Sequence, residues 1–376
     1  MKSITTATDL KGKRALLRTT LNVPLEGETI LDTTRLDEAL QTIQFLRNAG
    51  ARTLLLSHHS DGEIATLRPA FDYLKERVPL RFVEDFRSAE AKELLGEMAD
   101  GDIIMLENVR RYPEEEQNNR RFAEELSALA DVFVNDDFTT AHRAHASVVG
   151  VPALLPSYAG IIFEREHSFL SQALDAPTPS LTIIGGAKPE TKLPLIATLT
   201  DTMTDVFVGG VSANVVWQSR GLSIGKSATV VDGIPEVAAV NAAKNAHLPC
   251  DVRVEDSSGD IIVVAPDNVP SGAAIVDAGP QTLQELHDLV DGAAFILWNG
   301  PLGEYEKGYT ESTHALARLL AKSGKRVIIG GGDTVGAVKR LGLGDAYTFV
   351  STAGGAMIDF LAHGTLPGIE ALERTS

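Results

Sequence analysis

"VIIGGGDTVGAV", residues 327–338, is the stretch whose reading decides the fold. A β-branched apolar run breaks into three glycines and an aspartate, and an apolar pattern at helical spacing then resumes. That punctuation marks a strand that ends in bare backbone before a helix starts. In open α/β sheets this is where ligands sit, beyond the carboxyl ends of the strands. Working outward, short β-rich runs recur at 15–17, 53–56, 103–106, 131–134, 181–184, 205–208, 295–297 and 348–350. Between them lie helical patterns such as "RFAEELSALA" and "ESTHALARLLAKSG". Such alternation predicts an α/β protein of parallel sheets with helices on both faces. The segment 151–160, "VPALLPSYAG", reads as the domain junction, followed by one long helical pattern, "IIFEREHSFLSQAL", which "DAPTP" at 175–179 ends.

The strand ends differ between the two halves. In the first they read "LLRTTLN", "LLSHH", "LENVRRY" and "VNDDFTTAHRAH", and carry Arg18, His58, Arg110 and Arg143. In the second they read "IIGGAK", "VGGV", "LWNGPLG", "IIGGGD" and "VSTAGGA", glycine-rich with one lysine and one aspartate. One sheet therefore offers cations to an anionic ligand, and the other offers backbone amides of the kind that cradle phosphate. Lys188 is placed to neutralise a phosphoryl group in transit. Asp333, beside Thr334, is placed to hold Mg²⁺, a hard cation that prefers oxygen. The predicted ligands are Mg–nucleotide on one side and a small anion on the other.

Composition narrows the classes. With 376 residues the chain can form two domains, and a net charge of −17 argues against nucleic acid as a partner. Cys250 is the only cysteine, so no intrachain disulfide forms and a reducing, cytoplasmic compartment is expected. No run approaches the 18 or so apolar residues of a membrane span, and the first residues show no apolar signal core. Three local patterns are set aside. "GGGDT" lacks the G-x-G-x-x-G spacing of a dinucleotide fingerprint. "GLSIGKS", 221–227, is one residue short of a phosphate-binding loop and reads as a turn before a helix. His142 and His145 in "HRAH" lack partners at a metal-binding spacing, which favours a structural role.

Taken together, the ordered segments resemble phosphoglycerate kinase over nearly the whole chain: "LNVPL" (21–25), "LENVRRYPEEE" (106–116), "VNDDFTTAHRAHAS" (134–147), "GGAKPETK" (185–192), "WNGPLGEYE" (298–306), "GGGDT" (330–334), "STAGGA" (351–356) and "LPGIEAL" (366–372). The resemblance implies two Rossmann-like, doubly wound parallel-sheet domains joined by a long hinge helix. An acid-binding domain would span 1–158 plus a returning tail of about 360–376, the helix 159–175, and a nucleotide-binding domain 176–359. It further implies an acid site of Arg18, Asn22, Arg35, His58, Arg110 and Arg143. The implied nucleotide site comprises Gly185, Gly186, Lys188, Lys192, Gly209, Gly210, Asn299, Glu306, Gly331, Gly332, Asp333, Thr334 and the amides of 352–355. Arg35, Lys188, Gly354 and Gly355 would stabilise the phosphoryl group in transit, with Asp333 on Mg²⁺. ATP or ADP would be co-substrate, domain closure would bring the reactants together, and the family expectation is a monomer.

The departures concentrate on the acid side. The family reads Arg-Val-Asp-Leu-Asn where this chain has "RTTLN", so its substrate-contacting aspartate is Thr20. It reads Ser-His-Leu-Gly-Arg-Pro where this chain has "SHHSDG", so a phosphate-binding arginine is Asp61; Arg111 and His59 are the candidate substitutes. Pro189 and Ala353 are smaller changes on the nucleotide side. Two enzymatic readings stand: phosphorylation of 3-phosphoglycerate at its carboxylate, or of another small carboxylic or phosphono acid. A non-catalytic nucleotide sensor is the third reading, against which Lys188 and Asp333 speak.

Overall fold

The computed structural model describes residues 1–59, 66–230 and 233–374, so Asp61 lies outside the described residues. The chain divides into two compact units, Met1–Ser168 with Thr365–Ser376, and Phe169–Gly364. The boundary near the C-terminus falls at Gly364, the left-handed residue (φ 73°) that ends helix Gly355–His363.

The first unit is built on a six-stranded, all-parallel sheet. Its spatial order is Arg81–Val83, Ile103–Leu106, Arg52–Leu56, Arg14–Thr19, Val132–Asp136, Ser157–Ala159. The inner strands are buried nearly throughout, as continuous apolar runs between two helical layers require. Separate apolar clusters fill the two faces, one around Leu17, Leu55 and Val134, the other around Leu16, Leu54 and Phe133. The alternation of adjacent residues between faces is the period-2 geometry of the strand. The segment that closes the chain joins this unit, with the Gly368 amide on the Ala141 carbonyl at 2.8 Å.

The second unit repeats the plan in the order Ala246–His247, Asp205–Val208, Ser180–Ile184, Phe295–Asn299, Arg326–Gly330, Phe349–Val350, again all parallel. Beside it lies a three-stranded antiparallel sheet of Ile261–Val264, Val252–Glu255 and Ala274–Ala278, which the strand pattern above does not include. "GLSIGKS" forms a turn docked on that sheet, the Ser227 hydroxyl accepting the Ile275 amide at 2.8 Å. The expected helix does not follow it; the next one begins only at Val237. Among the described residues no helix is long and apolar enough to cross a membrane.

The long helical pattern forms helix Ile161–Leu174, and a buried aspartate secures its start. Asp136, at the end of a central strand, accepts the Ile162 amide at 2.8 Å and the Phe163 amide at 3.3 Å. Gly160 makes room: a Cβ there would stand 2.2 Å from Asp136 Oδ1. Burial raises the Asp136 carboxyl to about 7, the backbone donors restraining the rise. The folded protein thus holds a proton that the unfolded chain releases near pH 3.9, so this group's contribution to stability falls as pH rises from about 4 to about 7. Asp136→Asn is expected to remove that slope. Urea unfolding of both proteins across this range checks it, the variant gaining relative stability as pH rises.

Candidate active site

In the first unit, cations gather at the carboxyl ends of the parallel strands. Arg18 is 1% exposed and its Nη1 meets Asp137 Oδ2, itself buried, at 2.7 Å. Its Nη2 lies 3.0 Å from His58 Nδ1, and its Nε donates to the Ser147 hydroxyl at 3.1 Å. Ser147 is in turn held by the buried Glu115 carboxylate, which also accepts the Ser147 amide at 2.9 Å. Burial would raise Asp137, yet Arg18 and the Thr139 and Thr20 hydroxyls hold it well below the usual carboxylate range. His58 is pushed far down by burial and by Arg18, with Arg110 and Arg143 adding to the effect. His145 falls to about 4, through burial and the same three guanidinium groups. Arg18, Arg110 and Arg143 therefore act on one region, and both imidazoles are neutral at pH 7.

Arg110 carries buried donors that the protein leaves without hydrogen bonds. Its Nε and Nη2 are buried without a hydrogen-bond partner, although Nε passes 3.3 Å from Glu116. Burial and the neighbouring Arg143 depress its proton affinity. Buried guanidinium donors without hydrogen bonds and close to like charge are costly, and an anionic ligand would remove that cost. Arg35 and Asn22 form a second pair, Arg35 Nη1 donating to the Asn22 carbonyl at 2.8 Å. The candidate substitutes turn to other partners. Arg111, half-exposed, faces Glu107 at 3.9 Å and the Glu84 carbonyl at 3.4 Å. The buried His59 ring meets the Val23 carbonyl at 3.2 Å.

In the second unit the glycine turns hold several strand ends in tight backbone contact. A Cβ on Gly185 would stand 2.1 Å from the Pro301 carbonyl oxygen, and one on Gly300 2.2 Å from that of Gly185. Gly186 and Gly210 adopt positive φ, 87° and 58°. This corrects one expectation. The amides of Gly185, Gly186 and Gly209 are not open phosphate donors; they donate to the carbonyls of Asn299 (2.9 Å), Pro301 (2.7 Å) and Ile184 (2.7 Å). These glycines supply room for close approach rather than hydrogen bonds to a ligand. Gly185→Ala is expected to destabilise this unit by ~3 kcal/mol, because backbone atoms cannot yield the missing space. Both tryptophans, Trp217 and Trp298, belong to this unit, so urea unfolding read by fluorescence checks it.

Around that frame stand the charged groups. Lys188 is exposed at the N-cap position of helix Pro189–Thr202, with Pro189 in its tolerated place as first helical residue. Lys192, one turn on, is buried and donates to the Gly185 carbonyl. Burial lowers Lys192 to about 8, against the pull of Asp333 and with the push of Lys188. Those three groups thus share one field. Asp333 is exposed in the first turn of helix Gly332–Arg340, which Gly331 enters at φ 92°. Thr334 accepts the Gly300 amide at 2.8 Å, and Asn299 packs where a Gly331 Cβ would stand, 3.3 Å away. Gly354, at φ 57°, opens helix Gly355–His363. Helix starts of this kind suit an anion because their first amides lack an acceptor four residues back; at helix Gly355–His363 the Ala356 amide turns to the Ala353 carbonyl at 3.2 Å. Glu306 is exposed on the one-turn helix Tyr305–Lys307, and among the described residues no hydrogen bond or ion pair joins it to this group.

Sequence reasoning missed Asp137, Glu115 and Thr20 as partners of the arginine group. For Thr20 and Asp137 the one signal was a polar residue next to a strand end, readable only from the register of Thr19 against Asp136, while Glu115, well past the strand that ends at Leu106, carried none.

Comparison with known proteins agrees with this fold. The family model for phosphoglycerate kinase matches residues 5–364. The phosphoglycerate kinase of Rhodopseudomonas palustris is 38% identical over 387 residues, covering 97% of this chain and 97% of the relative. That of Borreliella burgdorferi is 38% identical over 390 residues, covering 99% of each. The solved structure of phosphoglycerate kinase from Coxiella burnetii superposes with a TM-score of 0.86 at 34% identity, over 99% of this chain and 98% of that one. The enzyme from Pyrococcus horikoshii gives 0.85 at 26%, over 100% and 99%. Fold and site together define a phosphotransferase built on two parallel α/β sheets. The chain belongs to the phosphoglycerate kinase family.

Proposed function

We propose that the protein transfers the γ-phosphoryl group of Mg-ATP to the carboxylate of 3-phosphoglycerate, reversibly, forming 1,3-bisphosphoglycerate and ADP. The observation that carries this reading is the arginine group of the first unit, where Arg110 Nη2 is buried without a hydrogen-bond partner and Nε has only the 3.3 Å ion-pair contact with Glu116. Arg18, Asn22, Arg35, His58, Arg110 and Arg143 bind the acid. Its carboxylate is already ionised at pH 7, so one of its oxygens attacks phosphorus without a general base, and the β–γ bridging oxygen departs with ADP. Rate enhancement then comes from alignment and from charge placed on the equatorial oxygens. Lys188 and Arg35 supply that charge from the two substrates' sides, assisted by the helix amides at Gly354 and Gly355.

The residues suit Mg²⁺ in one particular way. Among the described residues no group of three or more His, Cys, Asp or Glu side chains could hold a metal ion. A single carboxylate, Asp333, together with nucleotide phosphates is an arrangement that Mg²⁺ accepts, since it keeps most of its waters. When bound it neutralises phosphate charge. Gly185, Gly186, Gly209 and Gly210 shape the nucleotide side, while Lys192, Asn299, Thr334 and Glu306 complete it. A coupled assay with Mg-ATP and 3-phosphoglycerate tests the reading. Steady turnover is expected; background turnover alongside activity on another small acid would replace the acceptor.

A further inference from the structure

Asp137 lies at the centre of the acid site without being able to touch a ligand. Its side chain is fully buried, and four donors occupy it. Oδ1 accepts the Thr20 and Thr139 hydroxyls, each at 2.5 Å. Oδ2 accepts Arg18 Nη1 at 2.7 Å and the Thr140 hydroxyl at 2.9 Å. A carboxylate offers about four lone-pair sites, so none remains for substrate. What it controls is its neighbours. Arg18 can only donate, so the His58 Nδ1 that lies 3.0 Å from Arg18 Nη2 must be the unprotonated nitrogen. The ring proton is therefore on Nε2, and His58 is a neutral donor pointed away from Arg18. The guanidinium that selects this tautomer is itself aimed by Asp137.

Resting on the function proposed above, we infer that Asp137 is the positioning residue of the acid site. It fixes Arg18, and through Arg18 it sets His58 as a neutral Nε2–H donor to the acid. Sheet register adds a second consequence. Thr19 pairs with Asp136 across adjacent parallel strands, so positions 20 and 137 are the next pair at the strand ends. The 2.5 Å bond between Thr20 and Asp137 shows how closely those side chains converge. A carboxylate moved from position 137 to position 20 would still reach Arg18.

The test compares the unaltered enzyme, D137A and the exchanged variant T20D/D137A. Asp137→Ala is expected to raise KM for 3-phosphoglycerate about 10- to 100-fold, the worth of a lost charge-assisted hydrogen bond, with KM for ATP unchanged. T20D/D137A is expected to recover most of that loss. In the unaltered enzyme, ¹⁵N NMR is expected to show His58 as the Nε2–H tautomer from pH 6 to 8. If D137A fails to fold, the exchanged variant alone decides: a folded, active T20D/D137A supports the role, and an inactive one overturns it. Unchanged KM in D137A, or an Nδ1–H tautomer at His58, would also overturn it. Background turnover by the unaltered enzyme would instead remove the reading beneath, and the inference with it.

Discussion

Lys188→Ala is expected to lower kcat by about 10²- to 10³-fold, the usual cost of removing one group that stabilises developing charge. KM for the acid is expected to stay where it was. Lys188 and Asp333 both act on Lys192, and the structure separates the roles of the two lysines. Lys192 is buried and tied to the Gly185 carbonyl, a bond that holds the glycine turn together. Lys188 is exposed at the N-cap position of helix Pro189–Thr202, and its side chain makes no capping bond. It is the one of the pair able to follow a phosphoryl group. Because it is exposed, the substitution costs little stability, and a loss of rate reports chemistry. Steady-state kinetics with Mg-ATP and 3-phosphoglycerate decides it. An unaltered kcat would remove Lys188 from the chemistry of transfer.

The second large effect is on stability. Arg18→Met is expected to destabilise the first unit by ~3–5 kcal/mol, because it leaves Asp137 buried without its cation. A pH dependence separates this cause from lost packing. Asp137 is held below its ordinary range in the native protein, so the stability it contributes is present above the unfolded value of about 3.9 and is lost below it. Without Arg18, burial raises the same carboxyl, and acid then favours the folded variant. The deficit of Arg18→Met should be widest at neutral pH and narrow as pH falls towards 4. Urea unfolding followed by circular dichroism measures it, with tryptophan fluorescence reporting the second unit separately. A deficit independent of pH would mean that methionine simply packs badly.

Much of this was legible in the sequence because strand ends carry their own punctuation. The runs ending at Arg18, His58, Lys188 and Asp333 were apolar, then abruptly charged or glycine-rich, and the structure places each at the predicted end. The three-stranded antiparallel sheet was missed although "VRVE" alternates, because its partner "IIVV" does not and its first three side chains stay exposed: Ile261, Ile262 and Val263. Least legible were pairings set by tertiary contact. Asp136 against Gly160, Asp251 against Gly279 and Asp277 against Gly303 repeat one device, a buried carboxylate where the glycine leaves space, beside the start of a helix. Nothing local links the members of each pair. The glycines of "IIGGAK" and "VGGV" illustrate the converse: the motif was seen, but its amides turned out to be engaged within the protein.

Binding of the acid by the arginine group of the first unit is expected to be independent of the residues proposed for metal and nucleotide in the second. Calorimetric titration of 3-phosphoglycerate into the unaltered protein, Arg110→Ala and Asp333→Asn tests this most directly. Affinity is predicted to fall about 10- to 100-fold in Arg110→Ala, as charge-assisted hydrogen bonds are lost, and to be unchanged in Asp333→Asn. Equal loss in both variants, or no binding to the unaltered protein, would contradict it.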